Sequence, residues 1–129
     1  MLSGKNIVRI LVVEDHQETR RTLKRCLARS GHDVAVAEDL HAGMSRLETE
    51  TFDVIVSDIA LPDGTGYALM NEARRRGVDA LGIAFSAYDF PEEAEEPKVT
   101  GFDHHLRKPF DCARLFSVVD VHKHAMASA

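Results

Sequence analysis

The chain has 129 residues, 44% of them hydrophobic, and a formal net charge of −5. That length suits a single domain over residues 1–129 with no linker, and the apolar content is enough to build a core. An acidic balance excludes general nucleic-acid affinity, which needs basic residues to neutralise phosphates. The opening run Ile7 to Val13 is interrupted by Arg9 and ends on Glu14-Asp15, unlike a signal peptide, and no apolar run approaches membrane-spanning length. The expectation is a soluble, cytoplasmic protein with no nucleic-acid or membrane partner.

Val8 to Val13 is rich in β-branched residues and stops abruptly at two acids, the pattern of a buried first strand. From Gln17 to Ser30 the apolar residues Leu23, Cys26 and Leu27 recur at helical spacing, and Gly31 supplies a stop. A second strand over Asp33 to Ala37 leads into a helix over Leu40 to Leu47, with Leu40, Met44 and Leu47 on one stripe. Phe52 to Val56 reads as a third apolar strand, running to Asp58 and then to Pro62 and Asp63-Gly64, which bring turn chemistry. Thr65 can cap a helix from Gly66 to Arg76 that Gly77 closes.

Leu81 to Phe85 is a fourth strand ending at Ser86, and His104 to Arg107 a fifth leading to Lys108-Pro109-Phe110. Between them, Pro91 to Glu96 starts well as a helix that Pro97 should shorten or displace. Asp111 can cap a last helix reaching about His122, with Ala125 to Ala129 fraying. Five strands alternating with five helices imply a parallel doubly wound α/β sheet, flavodoxin-like, in the order 2-1-3-4-5. Cys26 and Cys112 each lie in helix-like apolar patterns and are expected as free, small hydrophobes, a usage that suits a reducing compartment.

In that strand order Glu14, Asp15 and Asp58 converge at one carboxyl-end edge, and the ends of the fourth and fifth strands bring Ser86 and Lys108 beside them. Three clustered carboxylates need a compensating cation, and oxygen ligands suit a hard divalent ion such as Mg²⁺. With a lysine and a hydroxyl added, the set matches a phosphoryl group, so Asp58 is the candidate nucleophile and would form an acyl phosphate.

These residues resemble the receiver domain of two-component response regulators over essentially the whole chain. The resemblance is carried by Val12-Val13-Glu14-Asp15-His16, by Asp58-x-x-Leu61-Pro62-x-Gly64, by Ser86-Ala87 and by Lys108-Pro109-Phe110. It implies that Asp15, Asp58 and the backbone carbonyl of Ala60 bind Mg²⁺, with Glu14 in the outer shell. It also implies that Asp58 takes its phosphoryl group from a histidine kinase or histidine phosphotransfer protein, that Lys108 contacts the phosphate, and that the Lys108-Pro109 bond is cis. Ser86 would be the switch hydroxyl, and His105 stands where the family usually carries a switching aromatic residue.

Two further expectations concern surfaces. Arg20, Arg21, Lys24, Arg25 and Arg29 make the first helix basic, which could steer an acidic phosphodonor partner, and a weak homodimer is compatible with the family. His122 and His124 read as solvated tail residues rather than a metal site. The chain is expected to act as a signalling module and not as an enzyme. A phosphorylation-independent interaction module of the same fold is the alternative. A flavin protein would be repelled by Glu14-Asp15, and a phosphatase of the haloacid-dehalogenase type would want an acid where Ala60 stands.

Overall fold

Consecutive residues of the first strand, β1 (Arg9–Val13), are buried on opposite sides of the sheet, so the strand is covered on both faces. Ile10 and Val12 pack into one core and Leu11 and Val13 into the other, which explains a run of apolar residues without polar alternation. The computed structural model describes residues 7–86, 101–108 and 112–128. Its helices are α1 (Gln17–Ala28), α2 (Leu40–Thr49), α3 (Gly66–Arg75) and α4 (Cys112–Ser128). The main sheet holds β1, β2 (Asp33–Ala37), β3 (Val54–Asp58), β6 (Leu81–Ser86) and β7 (His104–Arg107).

The sheet order is β2-β1-β3-β6-β7, and every pairing in it is parallel. This is the expected order 2-1-3-4-5, with two short strands interposed in the numbering. Those are β4 (Ala60–Leu61) and β5 (Gly64–Thr65), an antiparallel hairpin where the sequence suggested only a turn. Leu23, Leu27, Leu115 and Val119 of α1 and α4 cover one face, and Leu69, Met70 and Ala73 of α3 are buried on the other side, where Leu69 and Met70 join the second core. Among the described residues no helix is long and apolar enough to cross a membrane.

The helix ends follow their local chemistry. The Thr65 hydroxyl accepts the backbone N–H of Ala68 at 3.1 Å, capping α3, and the Asp39 carboxylate accepts that of Ala42 at 2.7 Å, capping α2. Gly31 and Gly77, just past α1 and α3, adopt φ of 85° and 83°, a conformation that closes helices and that glycine takes without strain. The last helix runs to Ser128, past the expected end near His122, because Ala125, Met126 and Ala127 are good helix formers with no breaker among them.

One expectation is overturned outright: Cys26 and Cys112 form a disulfide, with Cα atoms 6.1 Å apart. Helical spacing places each cysteine on a helix but does not show that the winding brings the first and last helices side by side on one face. The pairing also removes the ground that free thiols gave for a reducing compartment. The helix expected around Pro91 to Pro97, the Lys108-Pro109 bond and the Asp111 cap lie outside the described residues.

Candidate functional site: an acidic crevice bridged by a lysine

Asp58 is the last residue of β3 and only 5% exposed. It is held from three directions by its own neighbourhood. The Ala60 backbone N–H donates to Asp58 Oδ1 at 3.2 Å, and the Ser57 hydroxyl donates to the Asp58 carbonyl at 2.9 Å. Gly66 opens α3 so close behind that a Cβ there would collide with the Asp58 carbonyl oxygen. Its own N–H donates to Ile59 O at 2.8 Å, so the approach is a bonded one. Glycine is therefore required for α3 to start where it does.

Glu14 follows β1 and is completely buried, with its backbone N–H donating to Ala37 O at 3.0 Å. Lys108 reaches in from the end of β7 and donates to Glu14 Oε1 and Asp58 Oδ2, each at 2.9 Å. Its ammonium also lies 4.8 Å above the Phe85 ring centre. Partial burial disfavours the charged lysine, but the hydrogen bonds to Asp58 and Glu14 outweigh that cost and hold its pKa above the ordinary lysine value. In the register of the sheet Asp58 faces Phe85, and Ser86, the next residue, accepts the Lys108 backbone N–H at 2.7 Å. Ser86 is itself buried, at 7% exposure.

One ligand atom from each of Glu14, Asp15, His16 and Asp58 can be chosen so that all lie within 4.8 Å of one another. Asp15 Oδ1 is shielded from solvent and accepts no hydrogen bond. The expected convergence of Glu14, Asp15, Asp58 and Lys108 is thus present, with Ser86 at the adjoining strand end and Ala60 in the hairpin that follows Asp58. His105 on β7 is half-buried, with its ring edge-on to Phe102 at 6.1 Å between centroids. His122 is half-buried beside Leu81.

Three residues bear on the crevice in ways the sequence reading did not assign. Arg20 was grouped with the basic face of α1, yet its guanidinium donates to the carbonyls of Glu14 at 2.9 Å and Asp15 at 3.3 Å, bracing the acidic loop. Asp63 was read as turn chemistry alone. Its carboxylate accepts the backbone N–H groups of Leu40 and His41, at 2.8 and 2.9 Å, which ties the hairpin after Asp58 to α2. Those bonds, that of His41 first, hold its pKa below the usual carboxylate value. His16 turns its ring towards Glu14 and Asp15. Only the position of His16, directly after the acidic pair, could have flagged it. A separate cavity of about 620 Å³ around Arg74 and Asp103 opens at the other end of the sheet and touches none of these groups.

A five-stranded parallel sheet with a lysine-bridged acidic crevice at the carboxyl ends of β1 and β3 defines a class of phosphoryl-handling α/β domains. Within that class, residues 10–120 match the family described as "Response regulator receiver domain", and the chain belongs to that family. A 14.6 kDa protein of Leptolyngbya boryana, encoded in the sodA1 3′ region, is 35% identical over 112 residues, which cover 85% of this chain and 86% of that one. The response regulator MprA of Mycolicibacterium vanbaalenii is 30% identical over 85% of this chain, but the match spans only 48% of MprA. The chain thus corresponds to about half of that longer regulator.

Among solved structures, the receiver domain of a Francisella response regulator superposes with a TM-score of 0.84 at 28% identity, covering 92% of this chain and 98% of that one. The response regulator TrrA of Thermotoga maritima, solved with Mg²⁺ and BeF, gives a TM-score of 0.79 at 26% identity, covering 89% of this chain and 98% of that one.

Proposed function

We propose that residues 1–129 act as one phospho-accepting receiver of a two-component phosphorelay, with Asp58 as the phosphorylated residue. The observation that carries this reading is the bridging of Asp58 and Glu14 by the single Lys108 ammonium. An ammonium fixed on the candidate nucleophile is already in place for the charge that a phosphoryl group brings. The donor is a histidine kinase or a histidine phosphotransfer protein, and the exposed Arg21, Lys24 and Arg25 on α1 attract an acidic surface of it.

In the transfer, an Asp58 carboxylate oxygen attacks the phosphorus of a phosphohistidine. The new O–P bond forms as the P–N bond breaks, and its electron pair stays on the donor imidazole, which leaves neutral because its other nitrogen holds a proton. Lys108 neutralises the phosphoryl oxygens. Ser86 at the end of β6 and His105 within β7 then carry the change outward, with the Ser86 hydroxyl as the switch donor.

The donor set fits Mg²⁺. Three carboxylates face one ammonium, and the shielded Asp15 Oδ1 lacks a hydrogen bond that a hard cation would replace. Asp15, Asp58 and the Ala60 carbonyl would hold the ion, with Glu14 in its outer shell. When bound, Mg²⁺ supplies charge neutralisation to the phosphoryl oxygens.

The reading is tested by incubating the chain with acetyl phosphate and Mg²⁺ and measuring its intact mass. Addition of one phosphate that is absent in Asp58→Asn supports it. An unmodified native chain, or equal modification of the variant, contradicts it.

A further inference from the structure

His16 is a potential metal donor that the receiver reading leaves unused. It is the N-cap residue of α1 but makes no side-chain bond to the helix, and its side chain is 71% exposed, while its backbone N–H donates to Glu14 Oε2 at 3.1 Å. Its Nδ1 nevertheless lies 3.3 Å from Glu14 Oε2 and 3.3 Å from Asp15 Oδ1. Lys108 takes the other Glu14 oxygen and Asp58 Oδ2, so Glu14 Oε2 and Asp15 Oδ1 make no bond to it.

The Glu14 Oε2 contact is a hydrogen bond, which fits Glu14 as an outer-shell acceptor. The Asp15 Oδ1 contact differs, because that atom is shielded from solvent and accepts no hydrogen bond. Two donors sharing one ion through bonds of about 2.1 Å sit roughly 3.0 Å apart in an octahedron and 3.4 Å apart in a tetrahedron. His16 Nδ1 and Asp15 Oδ1, 3.3 Å apart, have that separation.

Building on the cation-site reading above, we propose that His16 Nδ1 is a ligand of this site and tunes it towards divalent transition ions that accept imidazole, of the Co²⁺ and Zn²⁺ type. Mg²⁺ takes oxygen ligands and gains nothing from the ring, whereas imidazole suits the later first-row ions. Any such site binds Co²⁺ more tightly than Mg²⁺, so the informative quantity is how a substitution changes each affinity.

The test is calorimetric titration of the whole chain with Mg²⁺ and, separately, with Co²⁺, following the visible absorption of Co²⁺ in parallel. The native chain is compared with His16→Ala and with His41→Ala, which removes an exposed histidine of α2. His16→Ala should weaken Co²⁺ binding by roughly tenfold or more and change its absorption, while leaving Mg²⁺ affinity within about twofold. His41→Ala should do neither. Unchanged Co²⁺ affinity in His16→Ala, or parallel loss of both ions, overturns the proposal while the Mg²⁺ site stands. A native chain that binds no Mg²⁺ overturns the cation-site reading itself, and this inference with it.

Discussion

Lys108 Nζ lies 2.9 Å from Asp58 Oδ2 and 2.9 Å from Glu14 Oε1, so a single ammonium joins the ends of β1, β3 and β7. The three side chains are mostly buried, with exposures of 22% for Lys108, 8% for Asp58 and 0% for Glu14. The same contact closes the fold at the strand ends and sets up the chemistry.

Replacing Lys108 with alanine removes the only positive charge bonded to these two carboxylates among the described residues. Phosphorylation by acetyl phosphate should slow by roughly 10²- to 10³-fold, the usual cost of losing one oriented charge-stabilising donor. Mg²⁺ affinity should move the other way and tighten, because the cation no longer competes with an ammonium; titration calorimetry reads this directly. The pH dependence follows from the raised lysine pKa. A raised folded-state value means that the stability from this ion pair is fully present below the ordinary 10.5 and is lost as pH climbs through the higher folded value. The native chain should therefore show an alkaline loss of stability above about pH 10.5 that Lys108→Ala lacks.

Gly66→Ala would push a methyl group into the Asp58 carbonyl oxygen and close to the Ser57 hydroxyl. Overpacking of this kind costs about 1–3 kcal/mol, and here the strained backbone is that of Asp58, the proposed phosphoacceptor. Denaturant unfolding should show the loss, and phosphorylation should slow even at temperatures where the variant is folded.

The disulfide closes a loop of 86 residues between α1 and α4. Thiol labelling of the denatured, non-reduced chain should find no reactive cysteine. Reduction should lower stability by about 2–4 kcal/mol, the usual value for a cross-link over a long loop. Two labelled cysteines before reduction would contradict the pairing.

Arg21 and Arg25 are exposed on α1 beyond the braced Arg20. Reversing both to glutamate should slow phosphotransfer from a cognate phosphodonor by tenfold or more at low salt, with the difference shrinking as ionic strength rises. Acetyl phosphate, which does not dock on a helix face, should phosphorylate both forms equally. Unchanged transfer at low salt would remove α1 charge from the account.

Most of the fold was legible because the central strands β1 and β3 are buried on both faces and α1, α2 and α3 each carry a glycine stop or a capping side chain at one end. The crevice was legible because its acids and its lysine fall at or just past strand ends, so the strand order alone brings Glu14, Asp15, Asp58 and Lys108 together. Contacts between elements that no local pattern encodes were not legible. The Cys26–Cys112 bond depends on which helices share a face. The Arg20 brace and the Asp63 clasp on α2 depend on where long or loop-borne side chains swing, and neither is periodic. The β4–β5 hairpin was hidden by its size, two residues a strand, in a stretch whose Pro62 and Asp63-Gly64 also read as a simple turn.

The central claim is that Asp58 carries the phosphoryl group, and reductive trapping tests it at the residue. Borohydride treatment of the chain after acetyl phosphate and Mg²⁺ converts an aspartyl phosphate to homoserine, which peptide mass spectrometry locates in the sequence. Homoserine at position 58, and at no other acid, is the predicted result. Its absence there, or its appearance at Glu14 or Asp15, would contradict the account.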